Sequence, residues 1–275
     1  MKLQDLPPLR ETLEAHGLLA RKSLGQHFLL DMNITRKIAR LARVGSEDRV
    51  IEVGPGPGGL TRALLETGAL VIAVEKDPRF IPVLEGLGGL EDARLEVHLA
   101  DAMEVDELKL AHGAPAHVVS NLPYNVGTPL LVKWLTGAFR PLSLTLMFQK
   151  EVAQRIVAAP GASAYGRLGV LAQATCEAQL VMEAPPRAFT PPPKVSSAVV
   201  HLRPLASAPD PGLLAALQVV TAAAFGQRRK MLRSSLKPVG GEALCLEAGL
   251  DPQARAEEID VAGFLRLAQA HLALR

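Results

Sequence analysis

Cysteine is nearly missing from this chain, which carries only Cys176 and Cys245. A chain of this length does not need a disulfide, and the two thiols lie far apart in sequence and match no metal-ligand spacing, so a reducing cytoplasm is expected. No run of about 18 apolar residues occurs, and the start of the chain, Met1 to Arg10, is broken by charges and prolines. A membrane span and a signal peptide are therefore not expected. There is no charge excess either: the formal net charge is +2. Distribution matters more than this sum, and basic residues gather at Arg21–Lys22, at Arg36, Lys37, Arg40 and Arg43, and most densely at Arg228, Arg229, Lys230, Arg233 and Lys237. Asparagine is the last shortage, with only Asn33, Asn121 and Asn125 present. Two of the three lie within or beside the stretch Asn121-Leu122-Pro123-Tyr124.

That stretch closes an apolar run containing Val118 and Val119, as a loop at the end of a buried strand would. Its chemistry suits a flat aromatic amine such as N6 of adenine, whose lone pair is delocalised into the ring. A carboxamide oxygen and a nearby main-chain carbonyl can accept both amino hydrogens, which pulls the nitrogen toward tetrahedral geometry and aims its lone pair at an electrophile. Pro123 stiffens the turn and offers no competing N–H. Tyr124 supplies a ring for a base to stack on, a contact worth about 1–3 kcal/mol. The tetrapeptide alone is also compatible with an Asn that merely caps the next helix.

With 275 residues the chain has room for one large α/β domain and a small appendage. Arg49 to Val53 reads as a strand running into Gly54-Pro55-Gly56-Pro57-Gly58-Gly59, with helical spacing from Leu60 to Glu66. Further strands are expected at Leu70–Val74, Arg94–Leu99, His117–Ser120 and Ser143–Phe148, and helices at Pro78–Leu87, Gly127–Leu135 and Glu151–Ala158. Glu75, Asp101, Asn121 and Gln149 then follow the ends of four consecutive strands, where open α/β sheets bind ligands. Thr175–Met182 and Val195–Leu202 suit two more strands forming an antiparallel closing hairpin. A proline-rich stretch at Pro204–Pro211 suggests a domain boundary. Beyond it, Leu213–Leu236, Glu242–Ala248 and Val261–Leu274 have helical patterns. On such a helix Arg229, Arg233 and Lys237 would share one face. The expected fold is thus α/β and doubly wound, with domains 1–205 (including an N-terminal extension, 1–45) and 206–275, the latter small and all-helical.

Gly54-x-Gly56-x-x-Gly59 matches a dinucleotide fingerprint, so NAD is one candidate. Pro55 and Pro57, however, remove two N–H groups that a pyrophosphate site would use. The alternative is S-adenosylmethionine, with the turn against its methionine part, Glu75 on the ribose hydroxyls and Asp101 at the adenine amine. A methyl donor also gives Asn121 a task; a dehydrogenase leaves it idle.

Five segments in order resemble one family: Lys22-Ser-Leu-Gly-Gln-His-Phe-Leu29, Glu52 to Gly58, Asn121 to Tyr124, Phe189 to Ser196, and the basic segment Arg228 to Leu236. The chain resembles the bacterial 16S ribosomal RNA adenine dimethyltransferases (KsgA/RsmA), over nearly its whole length. It is less similar to the macrolide-resistance Erm methyltransferases and to the mitochondrial and eukaryotic relatives. The resemblance implies a Rossmann-like class I methyltransferase sheet. It also implies transfer of methyl groups from S-adenosylmethionine, without a metal, to N6 of two adjacent adenosines in a hairpin near the 3′ end of 16S RNA. The partner would be the small ribosomal subunit or its precursor, and the enzyme a monomer. Other occupations of the fold would be methylation of a large-subunit adenine, or an assembly role in which catalysis is secondary.

Carried over by position, Gln26, His27, Leu29, Gly54, Gly56, Glu75, Lys76, Asp101, Ala102 and Asn121 would form the cofactor pocket. Asn121, Leu122, Pro123 and Tyr124 would hold the target adenine, with Phe189 closing over its other face. Arg228, Arg229, Lys230, Arg233 and Lys237 would hold RNA. The family usually carries Asn where this chain has His27, which leaves the side-chain part of that contact open.

Overall fold

The computed structural model describes residues 2–18, 20 and 26–274. The pair Arg21–Lys22, and with it the first half of the Lys22–Leu29 motif, lies outside the described residues. Two compact units are present: Met1–Trp134, Phe139–Lys150 and Leu180–His201 form the first, and Leu135–Ala138, Glu151–Gln179 and Leu202–Arg275 the second.

Nine strands occur among the described residues: β1 Phe28–Leu29, β2 Arg49–Val53, β3 Leu70–Glu75, β4 Leu95–Leu99, β5 His117–Asn121, β6 Leu144–Gln149, β7 Cys176–Ala184, β8 Phe189–Thr190 and β9 Ser197–Pro204. Seven form one sheet in the order β4-β3-β2-β5-β6-β9-β7, while β1 and β8 pair antiparallel by themselves. From β4 to β6 the pairing is parallel throughout. Parallel strands are covered on both faces and so read as continuous apolar runs; Val71, Ile72, Ala73 and Val74 of β3 are 0–1% exposed. The chain leaves β2 for β3 and β4 on one side, then crosses back to place β5 on the other side of β2. Such a reversal opens a crevice beyond the carboxyl ends of β2 and β5.

The expected strands and the helices at 78–88, 127–136 and 150–157 are all present within a residue or two at their ends. The sheet order also sets β7 beside β9, the two strands foreseen as neighbours. Sequence patterning did not reveal Met32–Ala42, a helix capped by Asp31, whose carboxylate accepts from the Asn33 amide at 2.8 Å. Nor did it reveal the helix Arg167–Thr175 or the two-residue β1–β8 pairing.

One expectation is corrected. Leu213–Leu236 is not one helix: Pro211–Gly226 is helical, Gln227 leaves the helical region at φ −134° and ψ 61°, and a short helix resumes at Leu232–Ser235. Arg229 therefore shares no helical face with Arg233 and Lys237. The cause is tertiary. Met231 bridges to Arg255, and the Leu232 and Arg233 amides donate to the Ala254 and Pro252 carbonyls at 2.8 and 2.9 Å, which draws the chain out of its helical path just after Gly226. Within the second unit, Phe225 packs against Phe264 and Tyr165 with ring centroids 5.3 and 6.0 Å apart.

Candidate active site

The crevice at the sheet's carboxyl edge deepens into a cavity of about 190 Å³, walled entirely by the first unit. Gln26, His27, Leu29, Gly54, Gly56, Glu75, Lys76, Asp101, Ala102, Asn121, Leu122, Pro123, Tyr124 and Phe189 all line it. Residues up to 163 positions apart in sequence thus meet at one place.

The Gly-rich turn forms part of its wall. Gly56 has φ +54° and turns its N–H onto Glu75 Oε2 at 2.9 Å, while Glu75 Oε1 accepts from the Asp77 amide at 2.8 Å. A side chain at 56 would be strained in that conformation. Gly54 N–H is used by the Val74 carbonyl and Gly58 N–H by the Pro55 carbonyl. With Pro55 and Pro57 having none, no backbone N–H from Gly54 to Gly58 remains for a phosphate, which argues against a dinucleotide. Gly59 answers a different need: a Cβ there would lie 2.6 Å from the Leu29 carbonyl oxygen, so only glycine lets the turn pack against β1.

Four carboxylates line this cavity; Asp77 is engaged by Arg79 and Gln26, and the other three are in different states. Burial raises Glu75, against the pull of its backbone hydrogen bonds. Asp101 is lowered, first by its hydrogen bond from Lys76 (2.6 Å to Oδ2) and then by the Met103 amide (2.9 Å to Oδ1), so it is an ionised acceptor. Glu52 opens the Gly-rich motif, yet the sequence assigns it no task. It is 1% exposed, its Oε2 has no hydrogen-bond partner among the described residues, and burial, against a lowering pull from Thr61 and with a smaller push from the charge of Glu75, raises it to about 8. An acid inside an otherwise apolar strand was the signal available in the sequence.

At the mouth, the half-buried Asn121 carboxamide makes no hydrogen bond among the described residues. Pro123's carbonyl is taken by the Val126 and Gly127 amides at 3.2 and 3.1 Å. Tyr124 is held at both ends: its hydroxyl bonds Ser197 Oγ at 2.7 Å, and its ring lies 5.6 Å from that of His27, tilted by 30°. His27 Nδ1 donates in turn to the Pro191 carbonyl at 2.8 Å, and Gln26 Nε2 to Asp77 Oδ2 at 3.0 Å. Phe189, 3% exposed, pairs with Leu29 across the β1–β8 ladder and lines the cavity. Ser197, Pro191 and Asp77 were not foreseen, since only the fold brings them to Tyr124, His27 and Gln26.

A sequence profile described as ribosomal RNA adenine dimethylase matches residues 17–271. The chain belongs to this family. Ribosomal RNA small subunit methyltransferase A of Phenylobacterium zucineum is 69% identical over 100% of this chain and 96% of its own length. The protein of the same name from Caulobacter vibrioides is 68% identical over 92% and 98%. Among solved structures, a dimethyladenosine transferase from Plasmodium falciparum superposes with a TM-score of 0.72 at 27% identity, covering 88% of this chain and 96% of that one. The 23S rRNA methyltransferase ErmE gives 0.68 at 27% identity, covering 88% and 98%. As a member of the adenine dimethylase family the chain is a methyltransferase with the class I fold.

The basic residues Arg228, Arg229, Lys230, Arg233 and Lys237 belong to the second unit. Arg229, Lys230, Arg233 and Lys237 are exposed, but Arg228 is committed, with Nε 2.6 Å from Glu257 and a bond to the Ala162 carbonyl. Among the described residues no group of three or more His, Cys, Asp or Glu is placed to hold a metal ion, and no helix is long and apolar enough to cross a membrane.

Proposed function

We propose that this protein dimethylates N6 of two adjacent adenosines in a hairpin near the 3′ end of 16S ribosomal RNA, using S-adenosylmethionine, as a cytoplasmic monomer acting on the small subunit or its precursor. The observation that carries this reading is the uncommitted Asn121 carboxamide beside the fixed Tyr124 ring, at the mouth of a cavity walled by carboxylates. Names of the relatives at 69% and 68% identity favour the small subunit over a large-subunit adenine.

The donor supplies an electrophilic methyl group on a sulfonium centre. The cavity fits such a molecule: Glu52 offers a buried, unpartnered carboxylate oxygen to its cationic methionine part, Glu75 keeps lone pairs free for ribose hydroxyls, and ionised Asp101 can accept from the adenine amine. Asn121 Oδ1 and the Leu122 carbonyl would accept the two N6 hydrogens of the target, with Tyr124 beneath the ring and Phe189 above it. Alignment is then the main source of acceleration. No general base is needed, because methylation makes the nitrogen acidic enough to lose its proton to water. The target adenine is flipped or taken from a loop, at a cost of a few kcal/mol offset by stacking on Tyr124. Arg229, Lys230, Arg233 and Lys237 of the helical domain contribute phosphate contacts.

The test is incubation with labelled donor and small subunits lacking the modification, followed by mapping of the label. Two adjacent dimethyladenosines near the 3′ end are expected; label on large-subunit RNA only, or none, would overturn the proposal.

A further inference from the structure

Lys133 and Glu107 lie outside the cavity, yet they are joined to its wall. Lys133 Nζ donates to the Ala102 carbonyl at 2.9 Å and the Val105 carbonyl at 2.7 Å, and stands 2.8 Å from Glu107 Oε1. An ammonium has three protons, and all three are used. Trp134 Nε1 donates to the same Glu107 oxygen at 2.7 Å, and both Glu107 and Trp134 are buried. The segment so gripped begins with Asp101, whose own carbonyl accepts from the Glu104 and Val105 amides at 2.9 and 3.2 Å. Asp101 and Ala102 line the cavity. The helix that carries the lysine, Gly127–Thr136, starts directly after the Asn121–Tyr124 loop and is tied to it through the Pro123 carbonyl.

We propose that Lys133 is a positioning residue: it fastens the Asp101–Glu107 segment to the helix continuing from the target-base loop, and so holds the wall for the donor's adenine in register with Asn121. This rests on reading the cavity as the S-adenosylmethionine pocket. Besides its own short hydrogen bonds and the exposed Lys76 contact with Asp101, the turn over 101–105 is held by Lys133, which reaches the Ala102 and Val105 carbonyls. A single donor reaching two of the turn's carbonyls fixes their direction, hence that of the Asp101 carboxylate. Lysine suits the task because its three protons diverge toward two carbonyls and one carboxylate. Methionine has similar length but none of these donors, and it leaves the buried Glu107 charge with Trp134 alone.

The decisive variants are Lys133→Met and Lys133→Arg, read by calorimetric binding of S-adenosylhomocysteine and of 5′-methylthioadenosine, and by steady-state kinetics. For Lys133→Met both ligands should weaken by about tenfold and by the same factor, because the loss lies at the purine end. KM for the donor should rise in parallel while kcat and the KM for RNA stay within about threefold, and Lys133→Arg should recover most of the loss. A folded Lys133→Met with unchanged affinity, or a kcat that falls as far as KM rises, overturns the proposal. Should that variant lose its thermal transition, the wild type decides: amide exchange at Glu104 and Val105 must slow when S-adenosylhomocysteine is added, and no slowing overturns the role. A wild type that binds neither ligand overturns the pocket assignment itself, and the role of Lys133 with it.

Discussion

Glu52, with Glu75, makes the charge of the pocket depend on pH. With its carboxyl raised from 4.5 to about 8, the folded chain holds a proton that the unfolded chain releases. Its stabilising contribution is therefore fully present below about pH 4.5 and lost as pH climbs through about 8. Glu52→Gln should raise the melting temperature relative to wild type near pH 8.5 and change it little near pH 5, as scanning calorimetry would show. Cofactor binding should behave in the opposite way. A cation beside Glu52 favours the carboxylate, so the wild type should release protons on binding S-adenosylmethionine near pH 7, detectable by calorimetry in buffers of different ionisation heat; the Gln variant should release fewer. Asn121 separates binding from chemistry. Asn121→Ala should lower kcat by about 10² or more while S-adenosylhomocysteine affinity stays within about fivefold, since the lost contacts form with the reacting nitrogen. Equal losses in both would remove Asn121 from its proposed task. His27 is legible only in part: the sequence marks its place in a motif, whereas its bond to Pro191 and its contact with Tyr124 come from the β1–β8 pairing.

Elements are legible in the sequence where their signal is local. The parallel strands announce themselves as short apolar runs, and the residues that follow them, Glu75, Asp101 and Asn121, converge because a doubly wound sheet sends its strand ends to one edge. The Gly-rich turn is equally local, and Gly59→Ala should destabilise the chain by about 1–3 kcal/mol in urea titrations, because the new methyl meets a backbone oxygen that cannot yield. Gly45→Ala, which meets nothing within 4 Å, is the control. The basic segment shows where local reading fails. Apolar spacing continued past Gly226 and suggested one helix to Leu236, but main-chain bonds to residues 252–255 decide the path, and no pattern in 213–236 reports them. Its residues consequently differ in role. Neutralising Arg229, Lys230, Arg233 and Lys237 should reduce the salt dependence of RNA binding by about 0.7–0.9 in slope per contacting cation. Arg228→Ala, which breaks a contact with Glu257, should lower stability and leave that slope nearly unchanged.

For the molecule as a whole, the first unit supplies the residues that line the cavity, and the doubly wound character of the sheet follows from strand and helix alternation that the sequence displays openly, whereas the strand order does not. What the sequence hid is contact between distant segments: Lys133 with Ala102 and Val105, Tyr124 with Ser197, Gln26 with Asp77. Each depends on side chains meeting across elements, which periodicity cannot encode. A crystal structure with S-adenosylhomocysteine is the most direct test of this pocket assignment. The adenine should lie against Asp101 and Ala102, the ribose on Glu75, the methionine ammonium at Glu52 and the sulfur facing Asn121. A ligand lodged away from the ends of β2 and β5, or one whose sulfur points away from Asn121, would contradict it.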